Sequence, residues 1–327
     1  MYRNNKFTDK FEDIFSFQSL IQSWLEFRNG KKKKTDISDF SLRLSNNIFE
    51  LRNEILRGDY CHGNYEFFQI REPKLRDIHK ATVRDRVVHH AIYRALYPYF
   101  DRLFIYDSYS CRLDKGTHKA LNRFKGFVMT ESLNDTKTVW VLKGDIRKCF
   151  ASIDHIILKT IIGKHIDCPK IIYVIYAVID SFPSGIPLGN LTSQLFVNIY
   201  LNELDQYVKR VLKVSKYIRY ADDFVIFSKD RVWLESLISK IRLFLTYNLK
   251  LDLHPDKVFI KTVNSGVDFL GWVHFPKYRV LRTSTKIKMY QTMFPDTKPE
   301  VVASYFGLLS YGDTYKIKND LLKKLNS

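Results

Sequence analysis

The sequence predicts an α+β protein whose helices pack on a mainly antiparallel sheet. Two observations predict this class: helical runs alternate with short apolar strands, and two strands flank a tight turn within 216–228. The hydrophobic content of 45% predicts a globular and not a disordered chain. A chain of 327 residues can bury a sizeable core and form one large domain or two to three subdomains.

Hydrophobic periodicity and turn residues predict the individual elements. Residues 1–60 are expected to be mostly helical, with one helix from about 36 to 56 that ends near Gly58. The further predictions are a strand at 65–70, a helix at about 85–99, a buried strand at 139–142, a helix from about Ser152 with Asp154 in its first turn, a helix at about 191–214, a strand–turn–strand at 216–228, a helix at about 231–248 and a helical end at 280–327.

The charge balance favours a polyanionic partner. The chain carries a net charge of +18, and basic side chains release counterions when they bind nucleic acid. A membrane surface is the competing polyanion, but no apolar run is long enough to span a bilayer, and the first residues do not resemble a secretory signal. The cysteines are scattered without a CxxC pair, which predicts neither a disulfide framework nor a zinc site and fits a reducing cytoplasm.

Three carboxylates are the strongest chemical signal. Asp222 and Asp223 stand in the turn between two apolar runs, and Asp145 ends the buried strand VWVLKGD. Turn acids are commonly structural, so each alone would be weak. Together, at two strand ends, they would form an oxygen-rich site suited to magnesium.

Several motifs resemble those of the reverse transcriptases, in the order and spacing of that family. In the second half of the chain they are YADD (220–223), DIRKCFASIDH (145–155), SGIPLGNLTSQLFVNIYLNELD (184–205), LDLHPDKVFI (251–260) and GVDFLGW (266–272). In the first half, EPKLRDI (72–78), VRDRVVHHAI (83–92) and DSYSCRLDKGTHKAL (107–121) are similar to motifs of bacterial reverse transcriptases.

The resemblance implies a right-hand polymerase that copies an RNA template into cDNA from dNTPs. It implies a helical extension at 1–60, fingers with the start of the palm at 61–138, the palm at 139–279 and a short helical thumb at 280–327. Two Mg²⁺ ions, which Mn²⁺ can replace, would catalyse the transfer. The partners would be RNA, the RNA–DNA heteroduplex, and a small accessory protein or a noncoding RNA.

The resemblance also assigns roles to individual residues. Catalytic roles go to Asp145, Asp222, Asp223 and Lys257, and the metal set is Asp145, Ile146, Asp222 and Asp223. Nucleotide contacts are assigned to Lys74, Arg76, Phe150, Gly189 and Gln194, with Phe150 excluding the 2′-hydroxyl of the nucleotide. Template and primer contacts are assigned to Asn190, Tyr220, Gly271 and Trp272.

Two positions point to a branch of the family. Leu188-Gly189 stands where many intron and retroviral enzymes have Gln-Gly, and Ser193-Gln194 stands where intron enzymes tend to have Ser-Pro. The pattern is similar to that of diversity-generating retroelement enzymes and of bacterial reverse transcriptases in anti-phage defence. We expect no room after the thumb for a maturase DNA-binding domain, an integrase or a separate RNase H domain.

Two basic segments and two alternative functions stay open. The Lys31–Lys34 loop is either a solvated turn or a nucleic-acid contact, and the lysines of 280–327 either clamp a duplex or are ordinary surface residues. One alternative is a non-catalytic RNA-binding scaffold, which would have no need for three metal-seeking acids. The other is a polymerase that uses ribonucleotides, against which Phe150 argues.

Overall fold

The computed structural model describes residues 6–71, 75–294 and 298–325. The helices are α1 (Phe11–Ile14), α2 (Phe17–Arg28), α3 (Thr35–Leu42), α4 (Leu44–Arg57), α5 (Val83–Asp101), α6 (Thr117–Glu131), α7 (His155–Gly163), α8 (Pro169–Asp180), α9 (Leu191–Gln206), α10 (Arg231–Leu249), α11 (Thr283–Met293), α12 (Pro299–Leu309) and α13 (Tyr315–Leu325). The strands are β1 (Glu66–Ile70), β2 (Arg76–Lys80), β3 (Trp140–Asp145), β4 (Tyr217–Tyr220), β5 (Asp223–Ser228), β6 (Phe259–Thr262), β7 (Val267–Phe269), β8 (Trp272–His274) and β9 (Arg279–Leu281).

These elements divide into two compact units, each built from discontinuous stretches of the chain. The first unit contains Met1–Tyr106, Ile146–Val211 and Ile241–Asp252, and the second contains Asp107–Asp145, Leu212–Lys240 and Leu253–Ser327. The mixture of helices with antiparallel sheets confirms the predicted α+β class. The predicted boundaries of extension, fingers, palm and thumb stay a prediction.

The first unit is mainly helical. Helix α5 packs on α2 and α9, and the hairpin of β1 and β2 supplies its antiparallel sheet. The predicted single helix over 36–56 is two helices, because Arg43 leaves the helical conformation between α3 and α4. Gly58 ends α4 with a φ of 80°, as expected for a glycine C-cap.

Two further differences in the first unit concern helix ends. Asp154 is the N-cap of α7, and its carboxylate accepts a hydrogen bond from the Ile157 N–H at 3.0 Å. The prediction that Asp154 lies in the first turn of the helix is therefore wrong by one position. The predicted helix over 191–214 ends as an α-helix at Gln206 and continues as one π-helical turn, Tyr207–Val211.

The second unit is organised by two antiparallel sheets. The larger has the strand order β4-β5-β3-β6, and the smaller has the order β7-β8-β9. Side chains from α6, both sheets and the helices after β9 share one apolar core, in which Phe124 packs on Phe227 and Phe269. This core supports the larger sheet, whose β3 and β5 carry the predicted carboxylates. No helix in the described ranges is both long and apolar enough to cross a bilayer.

Candidate active site

The hairpin of β4 and β5 presents two adjacent carboxylates. Tyr220 pairs with Asp223 across the hairpin, so Ala221 and Asp222 form the turn. Ala221 has a φ of 55°, which is unfavourable for a residue with a Cβ atom. Asp223 begins β5, and its side chain is 29% exposed. The turn therefore holds the acidic pair at the hairpin tip at some conformational cost, a feature typical of functional sites.

Strand β3 brings the third carboxylate to the same place. Asp145 is the register partner of Asp223 in the antiparallel pair of β3 and β5. Directly opposite residues in such a pair lie on one face with their Cβ atoms about 5 Å apart. The structure thus brings Asp145 next to Asp223, as the sequence predicts.

The packing of the other face allows this approach. Gly144 is paired with Phe224, and a Cβ atom added to Gly144 would lie 2.2 Å from Cζ of the Phe224 ring. Because no side chain larger than hydrogen fits there, the Phe224 ring can lie against β3. Gly144 is thus required for close packing next to Asp145.

The surroundings of Asp223 disfavour its negative charge. Burial raises the pKa of Asp223 to about 6, Lys143 opposes this increase, and Asp222 and Asp145 add to it. Clustered carboxylate oxygens are the donors that Mg²⁺ prefers. No group of three or more His, Cys, Asp or Glu side chains forms a ready metal cage in the described part of the chain. The donor chemistry fits divalent ions, but the arrangement is not a closed cage.

Two lysines neutralise the acids instead. The Lys257 Nζ lies 3.0 Å from Asp145 Oδ2, and the Lys143 Nζ lies 3.7 Å from Asp223 Oδ1. The turn that carries Lys257 is fixed to β3, because the His254 N–H donates to the Asp145 carbonyl at 2.7 Å. Lys257 is a predicted catalytic residue that the structure places at the carboxylates.

Arg219, which the sequence-based predictions did not include, is completely buried under the hairpin tip. Its guanidinium donates to the Ala221 carbonyl at 3.1 Å and to Ser108 Oγ at 3.2 Å, and its backbone N–H donates to the Asp107 carbonyl. Arg219 therefore holds the strained turn from below. The sequence does contain a signal for this residue, because Arg219 is the one charged residue of the apolar strand YIRY. Lys143 is marked in the same way, as a charge that follows the apolar residues of WVLKGD.

The predicted primer contacts of the second unit lie at two hairpins. The Tyr220 hydroxyl shares a hydrogen bond of 3.0 Å with Thr117 Oγ1. Leu270 and Gly271 form the turn between β7 and β8 with φ values of 51° and 84°, so the turn needs glycine at its second position. Trp272 is 1% exposed and belongs to the core, with Gly312 against its ring. The turn residues Leu270 and Gly271 are half-buried, and Leu270 packs against the core.

The predicted nucleotide and template residues belong mainly to the first unit. Phe150 lies in the short 3₁₀ helix Cys149–Ser152, and its carbonyl accepts from the Ile186 N–H at 2.7 Å. The Asn190 side chain is buried and bonds the Ala81 N–H and the His79 carbonyl, so it joins β2 to α9. Arg76 is exposed at the start of β2, Ile146 is buried directly after Asp145, and Lys74 lies outside the described residues. Their contacts with nucleotide or template stay predictions.

Three residues with predicted nucleotide or template contacts line a cationic cavity of about 410 Å³ within the first unit. Its walls include Gly189, Asn190 and Gln194, and its cationic residues are Lys31, Lys34, Lys80 and Arg86. His89 and His90 also line the cavity, but burial lowers the pKa of both side chains. Asp36 pairs with Lys80 at 3.0 Å and with Arg86 at 2.7 Å. Burial lowers the pKa of Lys31, and the positive charges of Arg86 and Lys34 lower it further.

Comparison with known proteins gives the class of this site. The family model described as "Reverse transcriptase (RNA-dependent DNA polymerase)" matches residues 71–274, which is more than half of the chain. The protein therefore belongs to the reverse transcriptase family. It is an RNA-directed DNA polymerase, a nucleotidyltransferase.

Individual relatives are bacterial and intron-encoded proteins. Protein YkfC of Escherichia coli is 28% identical over 273 residues, which cover 70% of this chain and 71% of YkfC. Group II intron-encoded protein LtrA of Lactococcus lactis subsp. cremoris is 24% identical over 291 residues, which cover 66% of this chain and 47% of LtrA. The putative COX1/OXI3 intron 2 protein of Saccharomyces cerevisiae is 20% identical, over 60% of this chain and 30% of that protein. The chain thus spans about half of LtrA and less than a third of the yeast protein.

Proposed function

We propose that this enzyme copies RNA into cDNA by nucleotidyl transfer at two divalent ions held by Asp145, Asp222 and Asp223. The observation that best supports this centre is the register of β3 and β5, which sets Asp145 opposite Asp223. The preferred ion is Mg²⁺, and Mn²⁺ is a suitable substitute at carboxylate oxygens. When bound, such ions activate the primer 3′-hydroxyl and stabilise the leaving pyrophosphate.

The chain's own groups complete the proposed chemistry. Ile146 has only its backbone carbonyl to offer as an additional metal ligand. The Lys257 side chain is 41% exposed, so its ammonium group can leave Asp145 and reach a phosphate oxygen. We assign to Lys257 the transfer of a proton to pyrophosphate as it leaves. The family's right-hand arrangement of fingers, palm and short thumb is part of the same proposal.

Primer extension with purified protein tests the proposed reaction. With an RNA template, a DNA primer and Mg²⁺, the wild type is expected to incorporate dNTPs and to discriminate against ribonucleotides. Phe150→Ala removes the aromatic ring proposed to exclude the 2′-hydroxyl, so ribonucleotide incorporation relative to dNTP incorporation is expected to rise about 100-fold. A wild type that prefers ribonucleotides, or that extends no primer, would contradict the proposal.

The cationic cavity supports an RNA partner and gives a second prediction. Replacing both Lys31 and Lys34 by glutamine is expected to weaken binding of single-stranded RNA. The slope of log K against log salt is expected to fall by about 1.4, since each lost phosphate contact contributes about 0.7 on a single strand. Fluorescence anisotropy across a salt series measures both effects. The matched control is Lys32→Gln with Lys33→Gln, two exposed lysines of the same loop that do not line the cavity. An equal loss in both double variants would show that the cavity has no special role.

The biological setting that the motifs favour is a diversity-generating retroelement or an anti-phage defence system. Leu188-Gly189 and Ser193-Gln194 carry this proposal, because intron enzymes tend to differ at both places. The intron-encoded relatives make an intron-associated role the competing setting. Sequencing of the nucleic acid that copurifies with the protein separates them. A repeat-flanked template with adenine-specific changes in its cDNA indicates diversification, a fixed noncoding RNA indicates defence, and an intron RNA would overturn both.

A further inference from the structure

Strand β3 carries a buried positive charge on the face of the carboxylates. Side chains two residues apart on a strand share a face, so Lys143 lies on the same face as Asp145. Its register partner on β5 is Val225, two residues beyond Asp223, which makes Lys143 and Asp223 diagonal neighbours. The Lys143 Nζ lies 3.7 Å from Asp223 Oδ1, and the side chain is 11% exposed.

The two lysines at the carboxylates differ in their freedom to leave. The Lys257 side chain is 41% exposed and extends from a turn, whereas Lys143 belongs to a central strand paired on both sides. A buried ammonium group is stabilised by a nearby counter-charge, and Asp223 is the acid that provides it. A divalent ion at Asp223 would therefore meet a like charge that cannot readily move into water.

We propose that Lys143 is a built-in counter-cation that competes with divalent ions for Asp223 and thereby lowers the metal affinity of the free enzyme. This inference rests on the proposed two-metal function and adds a residue that the family motifs quoted above do not assign. Lys143 acts through the metal ligands, so it is a positioning residue.

The test is a titration of nucleic-acid-free protein with Mn²⁺, in which electron paramagnetic resonance measures the free ion. Lys143→Met keeps the apolar stem and removes the charge, and it is expected to lower the Kd for Mn²⁺ about tenfold. Lys143→Arg keeps a positive charge and is expected to bind Mn²⁺ like the wild type. Lys261→Met is the matched control, because Lys261 is an exposed lysine of β6 in the same sheet.

The direction of the change separates competition from structural damage. A damaged site would bind Mn²⁺ more weakly, whereas removal of a competing charge makes binding tighter. Unchanged or weaker binding by folded Lys143→Met would overturn the inference, and Lys143→Gln serves if the methionine variant does not fold. A variant with both Asp145→Asn and Asp223→Asn tests the proposed function separately. If that variant still binds Mn²⁺ like the wild type, the carboxylates are not the metal site; if it loses binding while Lys143→Met is unchanged, only the role of Lys143 fails.

Discussion

Replacing Asp223 by asparagine is expected to lower dNTP incorporation on an RNA template by about 1000-fold, because the substitution removes one anionic ligand from the proposed metal centre. Single-turnover primer extension at saturating Mg²⁺ measures the loss. Asp39→Asn changes an exposed carboxylate of α3 in the other unit and is expected to retain the wild-type rate. An Asp223→Asn rate within tenfold of the wild type would exclude this carboxylate as a metal ligand.

The same substitution is expected to stabilise the metal-free protein at neutral pH. Since the pKa of Asp223 is raised to about 6 in the folded protein, the folded state holds its proton more tightly than the unfolded chain does. Metal-free wild type should therefore gain stability as the pH falls from about 6 towards 4, and lose that gain above pH 6. Asparagine carries no charge, so Asp223→Asn is expected to raise the free energy of unfolding at pH 7.5 by about 1–2 kcal/mol. This is a net value, because the raised pKa of Asp223 already includes the opposing attraction of Lys143 that the substitution removes.

Urea denaturation in EDTA at pH 7.5 and at pH 5 checks this expectation. The difference between variant and wild type should shrink at pH 5, where Asp223 of the wild type is largely protonated. A variant that loses activity and also loses stability would indicate structural damage and would not support a role in metal binding. Loss of activity with a gain in stability is the combination expected of a site that accepts unfavourable charge for its function.

Gly144→Ala is expected to lower the free energy of unfolding by about 3 kcal/mol, because the added methyl group overlaps the buried Phe224 ring. The Cβ atom would lie within 3 Å of three ring atoms, so either the ring or β3 must move. Asp145 follows directly in the strand, and a fall in polymerase rate should accompany the loss of stability.

Two further variants show whether crowding is the cause. Gly126 lies in α6 with no atom near its missing Cβ, so Gly126→Ala is expected to stabilise the protein by about 0.5–1 kcal/mol. Adding Phe224→Leu to Gly144→Ala should restore part of the lost stability, which a double-mutant cycle by urea denaturation measures. Additive effects of the two substitutions would argue against direct contact between Gly144 and Phe224.

The parts of this structure that could be predicted are those with a local signal. Alternating apolar runs around YADD predict the hairpin, and the strand that ends in Asp145 is confirmed within three residues. The break at Arg43 was missed, because the apolar spacing continues through it. Apolar spacing shows which residues share one face of a helix, but it does not show where the helical backbone is interrupted.

A charge inside an apolar strand marks Lys143 and Arg219 in the sequence, but the roles of these supporting residues could not be predicted from it. Lys143 and Arg219 each depend on a partner from a distant part of the sequence, Asp223 in one case and Ser108 in the other. Asn190 likewise looks like a polar loop residue, yet it is buried and bonded to the backbone around β2. Such roles follow from pairing across strands and between loops, which one sequence does not encode in its spacing.

The buried Arg219 has a consequence for protein engineering. Its guanidinium joins the tip of the acidic hairpin to Ser108, more than a hundred residues earlier in the chain. A graft of residues 217–228 alone into another antiparallel scaffold would leave this arginine inside a foreign core without the Ser108 hydroxyl that accepts from its guanidinium. The smallest portable version of the hairpin must therefore include the 107–109 segment, which makes the module a composite of two chain segments.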